Sequence, residues 1–157
     1  MSSLKTDNTS QTGGATHSNL SSTVSVSGGN VKGDVFGGGR EGTTQARTIV
    51  NVNGGEIGGN VYGGAYGIAE RVYVAGPHTV NLMGHPGGGY PFIKGCVYGG
   101  SRLANDGQNL GLTHNSFDTN NTTDLSSVIN ISGGRVKEHV YAAGFYGRCF
   151  GSCYINP

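Results

Sequence analysis

The sequence predicts an all-β fold, a parallel β-helix (β-solenoid) of about four coils with inserted loops. Three observations lead to this prediction. Glycine supplies 31 of the 157 residues, several times its usual share of about 7%. Aliphatic residues alternate with Ser and Asn, which is typical of strands with one buried face. One pattern of short strands and glycine corners also recurs along the chain, as in repeat architectures.

The recurring pattern reads h-x-h-x-G-G-x-h-x-G-x-V-[FY]-G-G-G, where h is aliphatic. Four segments follow it: residues 24–39, 50–65, 80–101 and 129–144. The third carries six extra residues after Gly84-His85. These segments place a repeat domain at residues 22–147, after a polar N-terminal arm or cap at residues 1–21 and before a C-terminal tail at residues 148–157. Residues 103–127 lack the pattern and are expected to form an inserted loop.

Each unit is expected to form two short strands around a glycine corner. Val24 and Val26 alternate with serine in the first strand, so one of its faces should be buried. The pairs Gly28-Gly29, Gly54-Gly55 and Gly133-Gly134 can supply the positive φ values of a sharp corner. In the second strand the alternation places one column of valines inside: Val35, Val61, Val97 and Val140. The aromatic residue after each valine is then expected outside.

Stacking of the units is expected because two strands of this length are marginal alone. Stacked strands lie about 4.8 Å apart, so residues at one repeat position should form ladders. One such ladder is polar and consists of Ser25, Asn51, Asn81 and Asn130. A propeller is disfavoured because its blades need about 40 residues, and a sandwich because the faces that recur are identical rather than complementary.

The strings of the form V-x-I-x-G-G followed by V-Y-G-G-G resemble the glycine-rich repeats of large bacterial surface and adhesin-like β-helix proteins. The resemblance covers roughly residues 22–147. It implies an extracellular β-helical stalk or adhesive surface with no activity attached. The fourth unit departs from the pattern, because Ala142-Ala143 and Glu138 stand where the other units have glycine.

Two columns form a candidate interaction face. The aromatic column consists of Phe36, Tyr62, Tyr98 and Tyr141. It could present a platform for sugar rings or a dry seam against another molecule. Alternatively, its rings could cover the protein's own glycine corners. The basic and mixed positions are Lys32, Lys94 and Lys137, then Arg40, Tyr66 and Arg102. They could hold an acidic polysaccharide, or the lysines could form a solvated face that discourages wrong strand pairing.

The sequence predicts no catalytic, cofactor-binding or metal-binding residues. The five histidines fall at different repeat positions and the nine acidic residues are scattered, so neither a metal site nor an acid–base pair can be assembled. The protein is therefore predicted not to be an enzyme. A net charge of +1 gives no indication of nucleic-acid binding. No apolar run approaches the roughly 18 residues of a membrane span.

Three cysteines leave several pairings open. Cys149 and Cys153 flank a glycine, so a turn could bring them together, although they would be about 13 Å apart in a single strand. A disulfide from Cys96 to either residue is equally compatible with the sequence. Because the number is odd, at least one thiol stays free or pairs with another molecule.

The function expected from these features is structural or adhesive. An open stack of strands has edges with unpaired backbone groups, and no polar cap follows the last unit. The chain is therefore expected to self-associate as a filament or surface-layer subunit, outside the cell or at its surface. The alternative is a glycan-binding receptor-recognition module. A carbohydrate-active enzyme is the least favoured of the three functions because the sequence offers no catalytic site.

Overall fold

The computed structural model describes residues 21–42, 44, 46–67, 72–74, 76–106, 126–146, 149 and 151–157. These residues form thirteen strands and no helix, so the expectation of an all-β chain agrees with the structure at the level of secondary structure. The N-terminal arm up to residue 20 and residues 107–125 of the expected loop lie outside the described residues.

The strands form three sheets, and every pair within them is parallel. The strands are β1 (Ser21–Val31), β2 (Val35–Phe36), β3 (Arg47–Ile57), β4 (Val61–Tyr62), β5 (Tyr73–Val74), β6 (His78–Leu82), β7 (Phe92–Ile93), β8 (Val97–Tyr98), β9 (Asn105–Asp106), β10 (Ser127–Ile131), β11 (Arg135–Val136), β12 (Val140–Tyr141) and β13 (Cys153–Asn156). The largest sheet has seven strands, the second four and the third two.

The seven-stranded sheet keeps the order of the chain. In it, β1, β3, β6, β10 and β13 lie side by side, and β7 and β11 extend it beyond the glycine corner. The register aligns equivalent repeat positions, for example Val24, Val50 and Val80. The four-stranded sheet stacks β2, β4, β8 and β12 in the same way. The register therefore pairs equivalent positions of the four units.

The prediction of a parallel β-helix of about four coils is wrong, because the mostly parallel strands form a curled half-barrel. In the first two units one 11-residue strand, β1 or β3, runs through the glycine pair where a corner was expected, and the valine–aromatic pair follows in a separate two-residue strand, β2 or β4. The long strands carry the hydrogen bonding of the largest sheet through the glycine pair, so this sheet curls there. The remaining side of the described chain has only the two-residue strands β5 and β9 and isolated bridges.

The corners depend on glycine conformation. Gly29, Gly55 and Gly134, the second glycine of each pair, have φ values of 79°, 81° and 113°, which confirms the expected positive φ at these corners. Gly28-Gly29 and Gly54-Gly55 lie within the long strands β1 and β3, whereas Gly133-Gly134 lies between β10 and β11.

A second group of glycines is required by close packing between neighbouring strands. A Cβ at Gly37 would overlap the carbonyl oxygen of Gly63, and one at Gly63 would overlap that of Gly99. A Cβ at Gly99 would overlap the carbonyl oxygen of Ala142. Ala142 lies in the last unit, and among the described residues no strand packs beyond β12. This position explains why alanine is tolerated there.

The main core lies inside the curl and consists of aliphatic columns. Val61 and Val97 are fully buried and Val35 is 7% exposed, which confirms their predicted inward orientation. Val140 ends the same column and is only half-buried. A smaller core that the sequence analysis missed contains Ala65, Val72, Val74 and Ala104.

The extra residues of the third unit leave the sheet and return in register. The His85 N–H donates to the Gly89 carbonyl at 3.0 Å, which closes a short turn. Phe92 and Ile93 then pair with Glu56 and Ile57 of β3. The turn thus changes neither the register nor the column of any residue that follows it.

Candidate interaction surface

The aromatic column is formed as expected, with parallel stacked rings. The ring centroids of Phe36 and Tyr62 are 4.8 Å apart, as are those of Tyr62 and Tyr98, and in both pairs the ring planes are 4° from parallel. Tyr98 and Tyr141 follow at 5.1 Å and 12°. The spacing matches that of hydrogen-bonded strands, because the four rings occupy one position in β2, β4, β8 and β12.

Most of this column is buried, so it does not form the exposed platform that was one of the two alternatives left open by the sequence. Tyr62 is 2% exposed and Tyr98 8%, whereas Tyr141 at the end of the stack is 45% exposed. A second column folds over the rings, with Tyr66 5.8 Å from Phe36 and Phe145 5.7 Å from Tyr98. Burial disfavours the phenolate and raises the pKa of Tyr62 to about 12. Burial also raises the pKa of Tyr98.

The second column alternates cationic and aromatic residues. Parallel bridges join Arg40 to Tyr66, Tyr66 to Arg102 and Arg102 to Phe145. The guanidinium carbons of Arg40 and Arg102 lie 5.5 Å and 5.2 Å from the Tyr66 ring centroid. Because the two arginines come from the positions on either side of Tyr66, its ring is held between two cation–π contacts.

A shallow groove of about 320 Å³ lies beside this column. It is lined by Asp34, Phe36, Arg40, Tyr66 and Arg102. Asp34 is fixed in the groove, since its Oδ2 is 3.6 Å from Arg102 Nη1 and its Oδ1 accepts the Asn60 backbone N–H at 2.8 Å. The groove therefore combines a carboxylate, two guanidinium groups and the edge of the aromatic stack.

The three lysines of the predicted basic column lie on the exposed surface. Lys94 Nζ lies 2.7 Å from Glu56 Oε1, and this hydrogen bond holds the pKa of Glu56 below its ordinary value. Lys137 Nζ lies 3.3 Å from Glu138 Oε1. Two of the three lysines thus face carboxylates of this chain, which favours the interpretation as a solvated surface.

The polar ladder extends further than the sequence analysis predicted. Asn81 donates from Nδ2 to Asn51 Oδ1 at 2.8 Å, and Asn130 donates to Asn81 at 2.8 Å. Asn156 of β13 adds a further rung by donating to Asn130 at 2.9 Å. All three amides point the same way along the sheet, so each hydrogen bond has the same direction.

The strand β13 was missed because it falls in the segment expected to be a C-terminal tail. It pairs with β10 from Ser127↔Cys153 to Asn130↔Asn156. The signal in the sequence was Ile155-Asn156, which repeats Ile129-Asn130. Ile155 is 40% exposed, whereas Ile129 beneath it is fully buried. The stack therefore ends on an apolar residue that nothing described covers.

The structure brings two of the three cysteines together. The Sγ atoms of Cys149 and Cys153 are 2.7 Å apart, while Cys96 lies just before β8 in the four-stranded sheet. Of the pairings that the sequence left open, only Cys149 with Cys153 is adjacent in the described chain.

The described residues contain no group of three or more His, Cys, Asp or Glu side chains that could hold a metal ion. No helix within the described ranges is long and apolar enough to cross a membrane. The sequence matches no protein-family model, and neither the curated proteins nor the solved structures contain a significant match to this chain.

Proposed function

We propose that the protein is a structural, self-associating subunit whose copies add end to end through the outer edges of β1 and β13. The observation that carries this proposal is that no described strand covers the outer edge of β1 or of β13 in the largest sheet. Exposed strand edges present unpaired N–H and C=O groups that pair with another chain. The occupant of each edge is thus the opposite edge of a second copy.

The register of the sheet makes the two edges complementary. The columns run from Val24 to Ile155 and from Ser25 to Asn156. Continued by one strand spacing, they place Ile155 of one copy against Val24 of the next and Asn156 against Ser25. Ile155 is 40% exposed and Val24 half-buried in the single chain, so this contact removes apolar surface from water. It also extends the ladder of polar side chains.

Ala142 selects this arrangement over the direct stacking of β2 on β12. At the equivalent position of earlier units, a Cβ would overlap the carbonyl of the next strand. The Ala142 methyl group would therefore meet Gly37 of an incoming copy. Pairing through β13 avoids this overlap, because β13 adds a strand to the large sheet only. The rings of Tyr141 and the incoming Phe36 are then separated by two strand spacings.

Light scattering over a range of protein concentrations tests the proposal. Self-association predicts particles well above the 16.1 kDa of one chain that persist in high salt, because backbone hydrogen bonds and apolar contacts are little screened. Ile155→Asp places a charge on the β13 edge and should return the protein to single chains. Tyr90→Asp is the matched control, since Tyr90 is 68% exposed on the turn of the third unit. Single chains at every concentration, or no effect of Ile155→Asp, would refute it.

The repeat resemblance supports a location outside the cell or at its surface, and no enzymatic role is proposed. The groove beside the second column supports a second candidate function, the binding of a glycan. A sugar ring could lie against the face of the Phe36 ring that is turned away from Tyr62. Arg40 would bind a carboxylate of an acidic sugar, and Asp34 would accept hydrogen bonds from sugar hydroxyls. Titration with acidic and neutral oligosaccharides tests this candidate.

A further inference from the structure

We propose that Cys149 and Cys153 are a thiol–disulfide site whose oxidation closes the turn before β13 and so stabilises the edge through which copies associate. The second half of this statement rests on the proposed function. Formation of the disulfide concerns only the chain itself and can be measured whether or not copies associate.

The geometry of the two thiols supports the site. Their Sγ atoms are 2.7 Å apart, so a small movement joins them, and both residues are half-buried and thus within reach of a soluble oxidant. The Cys149 thiol also donates to the Gly151 carbonyl at 3.4 Å, which keeps the turn between the two cysteines closed. Cys96 lies just before β8 of the four-stranded sheet, away from this pair, and can be replaced by serine to isolate it.

The attachment of β13 explains why this bond would matter. Cys153 is the first residue of β13. Among the described residues the strand is held on one side only, by four paired residues, and just before it the Ser152 carbonyl accepts the Ser127 N–H at 2.9 Å. A four-residue edge strand makes few buried contacts, so it should open locally at a small cost in free energy. A disulfide closes a short ring beside it and removes open conformations of the chain.

The chemistry needs a disulfide oxidant, such as oxidised glutathione. The thiolate of one cysteine attacks a sulfur of the oxidant, which forms a mixed disulfide and releases one molecule of the reduced thiol. The thiolate of the second cysteine then attacks the protein-bound sulfur and releases the other molecule. The protein loses two protons and two electrons, and the oxidant is reduced to two thiols. No other group in the protein changes.

Alkylation and mass spectrometry test the site directly. After incubation with oxidised glutathione, the Cys96→Ser variant should have no thiol that reacts with iodoacetamide and should lose two hydrogens in mass. Hydrogen exchange at residues 153–156 should slow by about tenfold on oxidation, and Cys149→Ser should show no such change. Two reactive thiols after oxidation, a stable glutathione adduct, or unchanged exchange would overturn the inference.

Light scattering then tests the consequence for assembly. Oxidised protein should form larger particles than reduced protein, and Cys149→Ser should behave like the reduced form under both conditions. If mass spectrometry shows the disulfide but oxidised and reduced protein form particles of equal size, the coupling between disulfide and assembly would be overturned. If no condition yields particles, the proposed function fails while the alkylation result still decides whether the site exists.

Discussion

Replacing single valines in the column Val35, Val61, Val97 and Val140 should reveal how deeply each strand is stacked. Val61→Ala removes two carbons from a fully buried side chain. At about 0.8 kcal/mol per buried methylene, the loss of transfer free energy is about 1.6 kcal/mol. A cavity between Val35 and Val97 adds about 1 kcal/mol, because β2 and β8 hold the neighbours in register. The expected loss in the free energy of unfolding is about 2.5 kcal/mol.

Val140→Ala is the matched control, since the same two carbons are removed at the end of the same column. Val140 is half-buried and no described strand covers its outer side, so no closed cavity is left and the expected loss is about 1 kcal/mol. Urea unfolding of single chains measures both losses, which should appear as shifts of the midpoint with an unchanged slope. Equal losses for the two variants would show that the stacking described here does not determine stability.

Two further predictions concern the aromatic surface. The pKa of Tyr62 is raised to about 12 in the folded chain against about 10 in the unfolded chain, so the unfolded state releases its proton first and stability should fall as pH rises from 10 to 12. In urea unfolding, Tyr62→Phe should reduce this fall in stability with pH. The control Tyr154→Phe should not, because Tyr154 is 53% exposed. For the groove, Arg40→Ala should weaken binding of an acidic oligosaccharide by about tenfold in calorimetry and leave neutral sugars unaffected. An equal loss for both sugars would contradict carboxylate recognition by Arg40.

The register and the inward valines could be predicted from the sequence because they follow from period-two alternation and from one repeated pattern. Val61 and Val97 are equivalent in the pattern, and equivalence fixed their place in the column. The curled half-barrel could not be predicted, because it depends on the backbone conformation at Gly28-Gly29 and Gly54-Gly55. A pair of glycines permits both a break between two strands and a bend within one strand. The structure has the bend, and the sheet curls.

The stacking of the aromatic column was predicted, but its burial was not. Alternation alone placed Tyr62 and Tyr98 outside the sheet, and it carries no information on what covers them. Their burial depends on Tyr66 and Phe145, which follow a second corner and fold back over the rings. Likewise β13 was missed, since a single Ile155-Asn156 pair is too short to be recognised as a repeat without its hydrogen-bonded neighbour.

The order of the strands has a mechanical consequence. In the largest sheet β1, β3, β6, β10 and β13 follow one another in space as they do in the chain, so Ser21 and Asn156 lie in opposite outermost strands. A force that pulls these two residues apart acts across the strands, along their hydrogen bonds. It would peel the outermost strands away first and load the bonds of only one strand at a time. Under tension the chain would therefore lengthen stepwise from its ends inward, and the central strand β6 would be the last to yield.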